Sequence, residues 1–286
     1  MNNSVKEIRK SREISLVPAA EVKRKKTGHV NPYIPIAIFF LAWEVVSRLN
    51  NIVELMNPNF LPGPIAILLR AIEMAQTGII LDSVLSSTIR ISFGFVIGCT
   101  LAVVVSIIMS RYVKVEHWIS PILSMVGPIP ALALLPLFII WFGIGEFPKV
   151  LLIAWTVFIP VHVYTLDGLK SVNPIFIRSA MSLGASQWQI LKKVILPSAM
   201  PSILVGAQVS LGLAFSALVV SEMMGAKSGL GYLIVDARNY FKLSDMFVAI
   251  VLIGLEYMLF SVLLKYFEKK LVSWRKGGVQ NAVESN

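Results

Sequence analysis

The chain has a single cysteine, Cys99, in 286 residues, which excludes an intramolecular disulfide framework. That thiol sits inside an apolar run, where a lone buried cysteine is inert. Charge is scarce as well: Asp, Glu, Lys and Arg make up 15% of the residues, against about a quarter in a typical soluble domain. A chain so short of charge cannot cover a water-facing surface. Also missing are the phosphate-binding loop G-x-x-x-x-G-K-[ST], any metal-ligand spacing and any nucleophile arrangement. The chain is therefore not expected to hydrolyse ATP by that route, and it offers no catalytic residue, cofactor site or metal ligand. Its first 30 residues are basic and polar with no apolar core segment, so no cleavable signal peptide is expected.

What the chain has instead is hydrophobicity. Apolar residues make up 56%, and the mean hydropathy is +0.75. Several runs approach the ~20 residues needed to cross a bilayer core. They are continuous rather than alternating, which argues against a transmembrane barrel. The reading is an all-α, polytopic membrane protein with six spans, at about 33–49, 87–109, 118–142, 149–167, 202–221 and 246–266. A basic tail (1–31) precedes the membrane domain (32–275), and a short tail (276–286) follows it.

The net charge of +10 resembles a nucleic-acid signal, but its distribution follows the membrane. Eight basic residues cluster before the first span, and Lys265, Lys269, Lys270, Arg275 and Lys276 cluster at the other end. With the N-terminus inside, nineteen of the 26 Lys and Arg fall on the inner side and five on the outer. That asymmetry predicts six spans with both termini cytoplasmic. It assigns the basic clusters to orientation and lipid headgroups, with no nucleic-acid partner.

One apolar segment outside these spans is 64–81, "PIAILLRAIEMAQTGIIL". Arg70 and Glu73 inside it make insertion costly, at ~3 kcal/mol or more per group. It is read as an external helix lying along the membrane surface. The third span carries Pro121, Pro128, Pro130 and Pro136 with Gly127. Proline removes a helix donor and kinks the chain, which suits either a kinked core helix or a helix lining a hydrated path. Within the other spans, Glu44 and Arg48 stand four apart and can pair, and Arg90 is placed to snorkel to the interface. His162, Glu222 and Glu256 have no partner visible in sequence. They fit inter-helix pairing as well as a translocation path, and Pro128, Pro130, Pro136, His162, Glu222 and Glu256 are its candidates.

Residues 173–197 are too polar for lipid yet regularly patterned. Asn173 can cap a helix with Pro174 at its first position. Phe176, Ile177, Ala180, Met181 and Leu183 share one face of that helix, with Arg178, Ser179 and Ser182 opposite. Gly184 supplies a left-handed stop and Ser186 the next cap. Trp188, Ile190, Leu191, Val194 and Ile195 then share a face, and Pro197 is expected to break the helix before the fifth span. The apolar faces are expected to pack on the chain's own span ends and leave a short polar patch outside. This is either a solvated linker or a helix–turn–helix docking surface.

The stretch "RSAMSLGASQWQILKKVILPSAMPSI" (178–203) resembles the EAA loop of ABC importer permeases. Ala180, Gly184, Val194, Leu196 and Pro197 fall at that pattern's spacing. "FLPGP" (60–64), "GPIPALALLPLFIIWFGIGEFPKVLLI" (127–153), "LKSVNP" (169–174) and "SEMMGAKSGLGYLIVDARN" (221–239) are similar to segments of the nitrate/sulfonate/taurine importer permeases. The resemblance covers about residues 35–275. It implies a type I ABC importer permease in the bacterial inner membrane, working as a homodimer. Two cytoplasmic ATPase subunits, which bind ATP and Mg, would dock on the loop, and an external binding protein would deliver a small anion or organosulfonate. The coupling residues would be Arg178, Ser179, Ala180, Ser182, Gly184, Ala185, Ser186, Leu196 and Pro197. Arg178 and Ser179 depart from the family's Glu and Ala, reversing a charge at the docking surface. Other readings are the same importer type serving a vitamin precursor, an ion-coupled secondary transporter acting alone, and a membrane enzyme. The absence of a catalytic constellation disfavours the enzyme.

Overall fold

The structure is a computed structural model describing residues 33–272. The N-terminal basic cluster, Arg275, Lys276 and the tail after them lie outside the described residues. The described chain is helical, in the order α1 (Tyr33–Val53), α2 (Pro64–Gln76), α3 (Ile79–Arg111), α4 (Val113–Val126), α5 (Ala131–Phe142), α6 (Glu146–Lys170), α7 (Pro174–Ser182), α8 (Gln187–Met223), α9 (Leu230–Asn239) and α10 (Leu243–Leu271). Helices α1, α3, α6, α8 and α10 are each long and apolar enough to span a bilayer.

The expected third span is two helices, α4 and α5, bent by 105°. The bend falls on Gly127, Pro128, Ile129 and Pro130. Gly127 closes α4 by donating to the Leu123 carbonyl, and Pro130 caps α5 in extended conformation. Two missing N–H groups in three residues leave no ladder to carry a straight helix. The pair nevertheless crosses the bundle, and the ion pairs show it. Arg90, in the first half of α3, reaches Glu146 at the start of α6. Glu116, just past the end of α3, pairs with Lys170 at the end of α6. The helices α3 and α6 are thus parallel, so the bent pair must return the chain from one end of α3 to the other. Helix α8 runs back, with Arg111 touching Gln187 at one end and Arg90 touching Glu222 at the other.

The segment 64–81 also divides. Helix α2 stops at Thr77, Gly78 takes a left-handed φ of +80°, and residues 79–81 open α3. Helix α2 buries Ile67 and Met74 against Leu233, Val248 and Ala249. Its Arg70 grips Asp245 at the start of α10 through two hydrogen bonds, of 2.5 and 3.0 Å. Together α2 and α9, a helix the sequence pattern did not suggest, roof the end of the bundle opposite α7.

The core is the trio α3, α6 and α8, closed over Ile91, Leu152, Val157, Val161, Leu211, Ala214 and Leu218. Helix α3 meets α6 along a stripe of period four: Arg90, Gly94, Gly98, Ala102 and Ser106, all buried. Small residues at this spacing let two backbones approach closely. A Cβ at Gly98 would stand 2.5 Å from the Ala154 carbonyl oxygen, which belongs to a helix backbone and cannot step aside. Gly98→Ala is therefore expected to destabilise by ~1–3 kcal/mol through overpacking, read as a lower melting temperature in detergent. Gly212→Ala, whose Cβ meets nothing within 4 Å, should stay near wild type. Equal melting temperatures for the two variants would refute the close approach.

Candidate functional site

Residues 173–190 form an exposed double helix-end at one end of the bundle. The Asn173 side chain accepts from the Ile175 N–H at 2.9 Å, with Pro174 opening α7. Beyond Ser182 the chain turns through Gly184, whose φ is +79°. The Ala185 N–H returns to the Ala180 carbonyl at 3.0 Å and the Gly184 N–H to the Met181 carbonyl at 2.9 Å. Both satisfy carbonyls left open at the helix end. Ser186 and Gln189 then cap each other reciprocally and start α8.

Two expectations fail here. Pro197 does not break the helix. The turn before it widens to a π-helix over Leu191–Ile195, in which the Leu196 N–H donates to the Leu191 carbonyl. That extra residue absorbs the proline, so α8 runs unbroken for 37 residues. Nor do the apolar faces all turn inward. Ile190 is buried, but Phe176, Met181, Leu183 and Trp188 are exposed, Leu183 to 87% and Trp188 to 68%. Arg178, Ser179, Ser182 and Ser186 are exposed beside them, while Ala180, Ala185, Leu196 and Pro197 are half-buried. The outward surface is an oily ridge fringed by polar groups.

At the opposite end a polar knot ties the core trio to the α8–α9 loop. Arg90 is 4% exposed rather than snorkelling. It donates from Nε and Nη2 to the Glu146 carboxylate at 2.5 and 3.0 Å. Its Nη1 donates to Glu222 Oε1 and to the Ser228 carbonyl, each at 2.7 Å. Ser87 and the Gly231 N–H, both at 2.8 Å, complete the shell of Glu222, and Lys149 adds a second cation on Glu146 at 2.9 Å. Every strong donor and acceptor is paired, the condition under which a buried ion group is tolerated.

Between the two ends run two adjoining clefts of about 390 and 550 Å³, which share Gly127 and Ile159. They follow α6 from the level of Trp155 and Val220 down to Asp167, and the α4–α5 bend with Pro128 and Pro130 forms their opposite wall. His162 lines the second cleft. Its Nδ1 lies 2.8 Å from Ser106 Oγ, and its ring stacks on Phe158 at 5.7 Å. Pro136, Glu222 and Glu256 line neither cleft. Glu256 is buried against α3, with one oxygen accepting from Thr88 Oγ1 at 2.8 Å and the other without a partner among the described residues.

Residues 94–274 match the family of binding-protein-dependent transport system inner membrane components. The chain belongs to this family. The permease is 34% identical over 252 residues to SsuC of Bacillus subtilis (strain 168), named for aliphatic sulfonates transport; the match covers 88% of this chain and 90% of that protein. It is 35% identical over 250 residues to the taurine transport system permease protein TauC of Escherichia coli (strain K12), covering 86% and 89%. Among solved structures, a chain of the MetNI methionine ABC transporter in an inward-facing conformation superposes with a TM-score of 0.53 at 20% identity, over 72% of this permease and 96% of that chain. That likeness shows the fold alone. The permease is thus the non-catalytic, multi-pass membrane subunit of an ABC importer.

The motifs behind the resemblance meet in space. Glu146 of "GEFPK" and Glu222 and Ser228 of "SEMMGAKSGLG" converge on Arg90, with Lys149 bonded to Glu146 and the Gly231 N–H to Glu222. Sequence reasoning did not pair them, because Arg90 and Glu222 lie 132 residues apart. Trp155, Thr156, Asp167 and Ser216, which line the clefts, were not singled out in the sequence; for Thr156, Asp167 and Ser216 the signal available was their interruption of otherwise apolar spans.

Proposed function

We propose that two copies of this permease frame the membrane pathway of an ATP-driven importer for a small organosulfonate delivered by an external binding protein. The cytoplasmic ATPase, holding ATP and its Mg2+, docks on the 173–190 surface, and both permease termini lie on that side. The observation that carries this reading is the build of that surface. An exposed apolar ridge with capped, hydrogen-bonded turns is a poor linker, since it leaves Leu183 and Trp188 in water. It is a good socket for a partner, and α8 joins it rigidly to the track. The substrate class rests on the sulfonate and taurine relatives, and the orientation on the distribution of Lys and Arg.

Proteoliposomes holding the permease, its ATPase and binding protein test this in one preparation. Uptake of an alkanesulfonate or aminoalkanesulfonate is expected only when ATP is supplied on the face where a Gln187→Cys probe accepts an impermeant thiol reagent and a Gln76→Cys probe does not. Uptake by the permease alone under an ion gradient would replace the importer with a secondary transporter.

A further inference from the structure

The proposed solute is an anion, yet neither cleft has a Lys or Arg among its described wall residues. The first has no ionisable residue, and the second has His162 and Asp167. His162 is therefore the one described wall residue able to become a cation. It is 5% exposed, and two neighbours hold it. Its ring lies on Phe158 with 4° between the planes, and Ser106 Oγ of α3 stands 2.8 Å from Nδ1.

Ser106 decides which nitrogen is free. Its hydroxyl has one hydrogen and faces two carbonyl acceptors, Ala102 at 2.7 Å and His162 itself at 3.2 Å. With the hydrogen spent on a carbonyl, Oγ accepts from His162 Nδ1–H. Nε2 has no partner among the described residues. Nor is it one of the sealed, unpartnered atoms, which are Thr165 Oγ1 and Glu256 Oε2; it opens on the cleft that the ring lines. In the neutral ring Nε2 is a lone pair, which repels an anion. In the protonated ring it is an N–H donor, and the bond from Nδ1–H to Ser106 is unchanged. The ring can thus take a proton without turning.

Two hydroxyls face it from the other wall. Helix α4 runs antiparallel to α6 across this cleft, in a register fixed by two contacts. Glu116 pairs with Lys170, and a Cβ on Gly127 would stand 3.2 Å from Ile159 Cγ2; eleven residues separate these contacts on each helix. Counting inward from either contact puts Ser124 level with His162 and Ser120 one turn nearer α7. Both serines line the cleft, and neither hydroxyl has a hydrogen-bond partner among the described residues. Donors therefore meet from two walls at one level of a cleft of about 550 Å³. A sulfonate, with three acceptor oxygens set around its sulfur, can accept from both walls at once.

We propose that the second cleft holds the sulfonate of the solute between His162 and Ser124, with Ser120 one turn further on. His162 takes a proton from cleft water as the anion arrives and returns it on release. This rests on the reading of the clefts as the path of an organosulfonate. The other charged groups near the ring are few. On α6 they are Asp167 and Lys170, and on α4 they are Lys114, Glu116 and His117, with Glu116 held by Lys170. Helix α5 has none, α3 has none between Arg90 and Arg111, and α8 has none between Lys193 and Glu222. Asp167, exposed toward α7, carries the sulfonate's own sign and keeps it on the Ser124 side. Because binding needs the proton, uptake through this site is full at low pH and is lost as pH rises through the histidine range.

The test is ethanesulfonate uptake by the complete reconstituted importer with saturating binding protein. Wild type and His162→Gln are measured side by side from about pH 6 to about pH 8. The ratio of their maximal rates at each pH cancels the pH responses of the ATPase and the binding protein, which both preparations share. That ratio should fall about tenfold as pH rises, because glutamine can donate a hydrogen bond but cannot carry the charge. Ser124→Ala, at an exposed position, should lower uptake about tenfold, the scale of a hydrogen bond to a charged group, and keep the wild-type pH profile. A ratio that stays flat with pH, or Ser124→Ala uptake at the wild-type rate, overturns the site while the importer reading stands. If His162→Gln does not accumulate, the Ser124→Ala rate decides alone. If wild type carries no sulfonate at any pH, the substrate reading fails, and the sulfonate site fails with it.

Discussion

Gly184→Val is expected to abolish ATPase docking while leaving the spans folded. Gly184 holds φ at +79°. L-residues pay about 1–2 kcal/mol there, and β-branched ones more. A Cβ at this position meets nothing within 4 Å, so the penalty is torsional and cannot be relieved by moving a neighbour. The turn escapes it by opening the Ala185-to-Ala180 and Gly184-to-Met181 hydrogen bonds, which lets α7 swing relative to α8. Each tenfold loss in affinity corresponds to about 1.4 kcal/mol, so co-purification of the ATPase should fall tenfold or more. Gly184→Asn should retain most of it, because Asn tolerates the left-handed region. A valine variant that co-purifies like wild type and keeps stimulated hydrolysis would reduce this segment to a linker.

Arg90→Leu is expected to fail at an earlier stage, in accumulation of the folded protein. It strips Glu222, itself 1% exposed, of the one cation paired with it among the described residues, and leaves the Ser228 carbonyl without that donor. Removing one partner of a buried pair costs about 3–5 kcal/mol, whereas exchanging both for apolar groups is often nearly neutral. The double variant Arg90→Leu/Glu222→Leu should therefore recover part of the lost melting temperature. Recovery should be incomplete, since Glu146 and Lys149 remain without Arg90. The measurement is monodisperse yield and melting temperature in detergent. Any Arg90→Leu protein that does fold should still bind the ATPase, because the knot lies at the far end of the bundle from α7. A single variant as stable as wild type would show that Arg90 does not hold α3, α6 and α8 together.

These two regions were unequally legible in the sequence. The 173–190 turn could be read residue by residue, because capping by Asn173 and Ser186 and reversal at Gly184 are local chemistry. The direction of its faces could not. A 3.6-residue period says that two sides of a helix differ, but the oily side may be kept for another protein, as Leu183 and Trp188 show. Spans were found where hydropathy was dense. The first turns of α3, residues 79–86, were missed because Asp82, Ser83 and Ser86 dilute them. Ser87, Thr88 and Arg90 are affordable in a span since Glu222, Glu256 and Glu146 meet them, partners that no local window contains. The prolines were visible throughout, but their effects were not uniform: two near-adjacent ones bend the α4–α5 pair by 105°, while Pro197 is absorbed by one widened turn.

That widened turn sets a phase. A π-turn is a single residue inserted into an α-helix, and one residue turns a helix through about 100°. The compass bearing of the oily ridge relative to the clefts is therefore fixed by one residue between Ile190 and Leu196. A chain lacking it would keep its spans, its turn and its caps, yet aim Leu183 and Trp188 about a quarter-circle away. Alignment between the oily ridge and the clefts is thus written as an integer count of residues in one helix, and a single deletion changes it in one step.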